Sequence, residues 1–166
     1  RGITVTTTIN AAEQEAAYDA VRRSSIAYDR RHGYRGPEAR IALPPAGERR
    51  EEAIVEMLQK RPSVDGFVAA VVLAASPKRV RVSTGGSETI DINGAGLAFA
   101  APALSTKARA ALRLTPGAVV RLARLGDGTW TIAQLPEVAS AFVALDTRTG
   151  AYRALVGGFD YGLQKM

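Results

Sequence analysis

The sequence has no cysteine, which removes disulfides, zinc ribbons and thiol nucleophiles from consideration. Its one histidine, His32, leaves no imidazole cluster for a transition metal. Aromatic residues make up only 6% of the chain, with a single tryptophan, so broad stacking platforms are not to be expected. No apolar run approaches the roughly 20 residues that cross a bilayer; the longest, Phe67 to Ala75, is the length of a strand. The first residues, Arg1-Gly2-Ile3-Thr4-Val5, lack the basic, apolar and small-residue sections of a signal peptide, as a processed chain also would.

What is present is ordinary for a folded chain. Of 166 residues, 46% are hydrophobic and 23% charged, a composition that buries a core. The net charge of +6 favours anionic partners, whether nucleic acid, acidic lipid, acidic protein or an anionic polymer, without choosing among them.

The β-branched run Gly2 to Ile9 suits a strand. Asn10 and Glu13 have the spacing of a helix cap, and Ala17, Val21, Ser24 and Tyr28 recur at helical intervals, so a helix is predicted to about Tyr28. Pro37 to Gly47 reads as a linker or extended loop, and Glu48 to Arg61 as a second helix ended by Pro62. Strands are then predicted over Gly66 to Ala75, Lys78 to Ser83 and around Ile90 and Ile92. Residues Gly94 to Leu114 form a non-strand connection with a short helix near Lys107 to Leu112. Two more strands, Ala118 to Leu125 and Thr129 to Leu135, flank the turn Gly126-Asp127-Gly128. Three strands, a helical connection and two strands is the order of the five-stranded, partly open OB-fold barrel, although other small barrels share the count. The fold class is therefore mainly β with flanking helices: an OB-like barrel, an N-terminal helix, and pieces of a second sheet. The last of these is a hairpin, Ser140 to Asp146 and Ala151 to Gly157.

The segment Tyr28-Asp29-Arg30-Arg31-His32-Gly33-Tyr34-Arg35-Gly36-Pro37-Glu38 resembles a signature of class A penicillin-binding proteins, in particular the 1A group. Thr4 to Ile9 resembles the linker strand after the glycosyltransferase domain, and Asp127 to Pro136 the last barrel strand. Ala144 to Gly150 and Ala154 to Asp160 resemble the opening of the transpeptidase domain. The resemblance implies three regions: 1–47, an interdomain linker strand, helix and loop; 48–136, an OB-like domain; and 137–166, the start of a transpeptidase domain. It further implies a parent that polymerises and cross-links peptidoglycan, sits on the periplasmic side of the inner membrane through a single span, and is the target of penicillins. Within such a parent the OB-like insert is expected to dock a regulator, such as an outer-membrane lipoprotein activator, or to meet peptidoglycan, beside the glycosyltransferase and transpeptidase domains. The chain itself is expected to be soluble. Its apolar strands at 2–9 and 138–160, lacking sheet partners, should be disordered, pair with each other, or self-associate across molecules.

The chemistry of such a parent is not expected in this chain. Transpeptidation needs S-x-x-K, S-x-N and K-T-G. No serine here has lysine three positions on or asparagine two on, and Lys60, Lys78, Lys107 and Lys165 never begin K-T-G. No catalytic, cofactor or metal residue is assigned. Asp146 with Asp160 could be cast as an acid pair, but Asp-Thr-Arg-Thr-Gly is ordinary turn chemistry. Gly94-Ala95-Gly96 lacks the third glycine of a dinucleotide loop.

Two basic groups remain. Arg22, Arg23, Arg30, Arg31 and Arg35 could form an anion site or a solvated face near a helix end. Arg79, Arg81, Arg121 and Arg124 lie on the barrel strands and are the candidate interaction surface. A basic OB barrel invites single-stranded nucleic acid as the alternative partner, disfavoured because only Phe67 and Trp130 could stack on bases.

Overall fold

The computed structural model describes residues 2–86 and 88–159, which divide into two compact units. One is continuous, Gly33–Leu135. The other is discontinuous, made of the chain up to His32 and the chain from Pro136 onward. The first is therefore an insertion within the second.

In the continuous unit, β1 (Ala39–Arg40), β2 (Val68–Ala75), β3 (Arg79–Ser83), β4 (Thr89–Asn93), β5 (Ala118–Arg124) and β6 (Trp130–Ala133) form one antiparallel sheet. Its order is β1-β5-β2-β3-β4. β6 shares with β1 the second edge of β5, pairing Arg121 with Ala133 and Arg124 with Trp130. Alternation does the sorting: Val80 and Val82 are fully buried while Arg79 and Arg81, which alternate with them, are exposed. A register shift between Val72 and Ala74 bends β2 and helps the sheet curl. Among the described residues no ladder joins β4 to β6, so the sheet is OB-like but open. The gap is spanned by the Thr131 hydroxyl donating to the Gly96 carbonyl (3.0 Å).

The concave face buries Val72, Val80, Val82, Ile92, Val120, Leu122 and Ile132, plugged by Leu97, Ala100, Ala103, Leu104 and Leu114. On the opposite face α2 (Glu48–Gln59) sets Ile54 against Val71 and Val119. Fully burying each such side chain contributes about 1.5–3 kcal/mol.

Two local expectations are corrected here. The segment read as a loop contributes β1, because Ala39 pairs with Val119 and the Ile41 N–H donates to the Gly117 carbonyl (2.9 Å). The connection after β4 contains two 3₁₀ turns, Gly94–Leu97 and Ala101–Leu104, while Lys107 to Leu112 forms turns and no helix. Arginine side chains hold the carbonyls of these turns. One Arg40 guanidinium nitrogen takes the carbonyls of Ala110, Ala111 and Arg113, and Arg113 takes those of Thr106 and Ala108. Of the held oxygens that lie inside a 107–112 helix, only that of Ala108 would have its i+4 partner there as well, and the Leu112 N–H goes to the Arg109 carbonyl (2.9 Å) instead.

In the discontinuous unit, α1 (Ala11–Arg31) sets Ala17 and Val21 against Ala154 and Val156 of the hairpin β7 (Phe142–Leu145) and β8 (Tyr152–Val156). The two hairpin strands thus pair with each other. Residues 2–9 form no strand; Ile3 and Val5 are exposed, and the Thr8 hydroxyl reaches the Tyr152 carbonyl (2.7 Å). β-branched residues favour a strand only where a ladder exists to join. α1 opens on the Asn10 side chain, which accepts from the Glu13 N–H (3.2 Å), and closes at His32, beyond the predicted end. The Glu13 carboxylate turns to the Arg153 guanidinium instead of completing a capping box. Asn10→Ala is expected to lower the stability of this unit by about 1 kcal/mol, read as an earlier urea transition for the α1 helical signal. An unchanged midpoint would show that the helix start is held by the Arg153 carbonyl to Asn10 N–H bond alone.

Candidate functional site

The signature residues lie where one unit gives way to the other, and each has an observable task. In the discontinuous unit the Asp29 carboxylate is buried and accepts from the Glu137 N–H (3.4 Å). His32 caps α1, its ring tilted against that of Tyr28 with centroids 4.3 Å apart and its Nδ1 2.9 Å from the Tyr28 carbonyl. Arg31 lies over the Tyr28 ring, and Arg30 with Arg31 completes a basic last turn, suited to the helix dipole.

In the continuous unit, Tyr34 packs edge-on against Phe99 and joins the core; burial pushes its phenol well above the usual tyrosine range. Gly36 has a φ of +104° and sits against the Ala111 carbonyl, 2.9 Å from where a Cβ would be, so only glycine fits.

The first and last residues of this unit are fastened together. The Arg35 N–H donates to the Gln134 side-chain oxygen (2.9 Å), the Gln134 amide donates back to the Gly33 carbonyl (3.0 Å), and the Arg35 guanidinium reaches the Leu135 carbonyl (2.8 Å). Gln134 is the member of this clamp that sequence reasoning missed. Nothing near it in the chain marks it, since its partners are about a hundred positions away.

The four barrel arginines do not form one surface. Arg121 is 5% exposed, so its assignment to an interaction surface is corrected: it pairs with Glu38 (2.8 Å) and donates to the Pro62 carbonyl (2.7 Å). Arg81 forks onto both oxygens of Asp91 (2.8 Å each), and Arg124 lies 4.0 Å over the Trp130 ring while reaching the Gly128 carbonyl. Arg79 alone of the four is exposed with no side-chain bond to the described residues. With Trp130 covered by Arg124 and Phe67 buried, no paired aromatic platform for bases is assembled among the described residues.

The first arginine group is likewise spread over separate contacts: Arg23 with Asp19 (3.9 Å), Arg22 over Phe159, Arg35 in the clamp. Asp146 is a turn aspartate, accepting from the N–H groups of Arg148 and Thr149 and from the Thr149 hydroxyl; Asp160 lies outside the described residues. Gly94 to Gly96 is a wedge against β6 and holds no phosphate-type loop. Among the described residues no group of three or more His, Cys, Asp or Glu could hold a metal, and no helix is long and apolar enough to cross a membrane.

Several carboxylates sit below their usual range. Bonding to Arg81 lowers Asp91, to the Thr149 N–H lowers Asp146, to the Thr129 N–H lowers Asp127, and to Arg153 lowers Glu13. A pKa depressed by folding gives stability that is complete above the unfolded value, about 3.9 for Asp, and is lost as pH falls through the folded one. Thermal midpoints should therefore hold from neutral pH to about 5 and fall below about 4. Asp91→Asn should flatten the decline of the continuous unit; an unaltered slope would remove the Arg81 pair from the account.

Residues 34–138 match the family described as the penicillin-binding protein OB-like domain. The chain belongs to that family. It is 38% identical to penicillin-binding protein 1A of Neisseria flavescens over 97% of this chain, and 34% identical to that of Pseudomonas aeruginosa over 96%. It spans 20% of the length of each. The crystal structure of penicillin-binding protein 1A from Haemophilus influenzae superposes with a TM-score of 0.73 at 28% identity, covering 96% of this chain and 22% of that one. The similarity includes α1 and the hairpin as well as the OB-like unit.

Proposed function

We propose that this chain is a non-catalytic interaction and spacer module of a bifunctional peptidoglycan synthase, a glycosyltransferase and transpeptidase on the periplasmic face of the inner membrane, and that its OB-like unit docks a regulatory protein. The observation that carries this reading is the clamped insertion. The OB-like unit enters and leaves its host through Gly33 and Leu135, which Arg35 and Gln134 hold side by side. A unit attached in this way presents a large surface while leaving the path of the host chain almost unchanged. The match of residues 34–138 to the penicillin-binding protein OB-like domain, and the chain's similarity to penicillin-binding protein 1A over a fifth of that protein's length, support this reading.

The test is to replace residues 34–134 by a short Gly-Ser linker in a full-length synthase carrying this chain. Basal glycan polymerisation and cross-linking should persist, while salt-resistant cross-linking to an envelope protein and any stimulation by it are lost. Unchanged capture and unchanged stimulation would refute the docking role.

A further inference from the structure

Charge is distributed unevenly in the OB-like unit. From Ile92 to Gly126 there is no Asp or Glu, and none from Gly66 to Ser83. Both stretches carry lysine and arginine, and the fold brings parts of them to one end of the barrel. There the β2–β3 turn, Ser76–Lys78, forms a ridge with a depression on each side. One, about 350 Å³, lies between Pro77, Lys78, Leu97 and Ala101; the other, about 250 Å³, between Pro77, Leu104, Thr106 and Arg113. A third, smaller hollow of about 140 Å³ lies beside Arg79 and Arg81.

Around this end Lys78, Arg79, Lys107 and Arg109 are exposed and bonded through their side chains to nothing among the described residues. Arg40 and Arg113 add positive charge, both spent on main-chain carbonyls of the same loop and neither on a carboxylate. The nearest acid, Asp91, is already forked by Arg81. Asp91 also feels the charge of Arg79, while Lys78, Lys107 and Arg109 form no ion pair among the described residues.

We propose that this barrel end, the Ser76–Arg79 turn with residues 94–115, is a docking face for an acidic segment of a partner protein. The inference rests on the docking reading above and names where and with what chemistry it occurs. Carboxylates of the partner meet Lys78, Arg79, Lys107 and Arg109, and its apolar side chains enter the depressions beside Pro77. An acidic protein segment fits better than single-stranded nucleic acid because the lining is small and aliphatic and offers no ring for a base to stack on. Four exposed cations that form no ion pair among the described residues raise the rate of encounter with such a segment and give binding a steep salt dependence.

The probe is a synthetic peptide of alternating Glu and Leu, titrated into the intact 166-residue chain with amide shifts as the readout. Two comparisons accompany it, the same peptide with Gln for Glu and a single-stranded oligonucleotide of equal charge. The acidic peptide should shift amides in 75–79 and 94–115. Lys78→Glu with Arg79→Glu should weaken it at least tenfold, whereas the charge-matched Arg49→Glu with Arg148→Glu should leave it within twofold.

Equal weakening by the two pairs would reduce the effect to net charge and overturn the proposal. So would shifts centred on α2, equal binding of the Gln peptide, or tighter binding of the oligonucleotide to the same end. Failure here, with capture still abolished by deletion of 34–134, would move the docking face elsewhere on the module. Capture that survives the deletion would refute docking itself.

Discussion

Gly117→Ala is expected to cost the OB-like unit at least about 3 kcal/mol, enough to unfold it at moderate temperature given total domain stabilities of about 5–15 kcal/mol. Two effects act at once. Gly117 has a φ of +88°, where an added Cβ is strained by about 1–2 kcal/mol. That Cβ would also lie well inside van der Waals contact of the Ile41 carbonyl oxygen, on a backbone held in place by the Ile41 N–H to Gly117 carbonyl bond. Gly117 also donates to the Val72 carbonyl (2.8 Å), so it cannot move without loosening β2 as well. Gly96→Ala isolates the second effect, since its φ is ordinary but its Cβ would strike the Trp130 carbonyl and approach Ile92 to 2.8 Å. Gly128→Ala isolates the first, with φ at +82° and open space around it, and should cost only about 1–2 kcal/mol. Urea midpoints of the three variants should fall in the order Gly128→Ala, then Gly96→Ala, then Gly117→Ala. A Gly117 variant no worse than the Gly128 one would mean that β1 is free to lift from β5.

The strands of the OB-like unit were legible because their signal is local. Val80 and Val82 alternate with Arg79 and Arg81, and Gly-Asp-Gly marks the last hairpin turn, so sequence and structure agree there to within a residue or two. The helices were legible for the same reason, down to the Asn10 cap. What could not be read depends on partners far along the chain. Lys107 to Leu112 has good helix formers, yet the Ala108 carbonyl is held by Arg113 and the Leu112 N–H turns to Arg109, while Arg40, some seventy residues earlier, holds the carbonyls that follow. Ala39 and Arg40 became a strand only because β5 offered an edge.

The candidate site divides in the same way. The signature residues stood out by resemblance, but their work as cap, plug and clamp needed coordinates, and Gln134 carried no signal at all. Arg121 was misplaced by a rule that usually holds, that an arginine on a strand faces water. It lies on the convex face under α2, where Glu38 and the Pro62 carbonyl supply what water would have supplied.

That pair gives the second large effect. Glu38→Gln should destabilise the unit by about 3 kcal/mol, because it removes the negative charge beside a guanidinium that is 5% exposed and leaves it neutral acceptors alone. Arg121→Met should cost less, about 1–2 kcal/mol. The Glu38 side chain is 28% exposed, and Arg61 stands 3.7 Å from its other oxygen, so the acid keeps water and a second cation when Arg121 is gone. The asymmetry is the point of the experiment. Burial makes the guanidinium the member that cannot be left alone, and a methionine of similar length fills its place without charge. Combining both substitutions should therefore recover much of the Glu38→Gln loss, giving a coupling of about 2 kcal/mol in a double-mutant cycle followed by urea denaturation. Additive costs, or a larger loss for Arg121→Met than for Glu38→Gln, would show that Arg121 reaches solvent and that the Gly33–Arg40 segment, β5 and the end of α2 are joined by the β1 ladder and packing, with no contribution from charge. If the coupling is found, those three elements share one ion pair. The segment that carries the clamp is then fixed to the sheet by charge as well as by the two-residue ladder of β1.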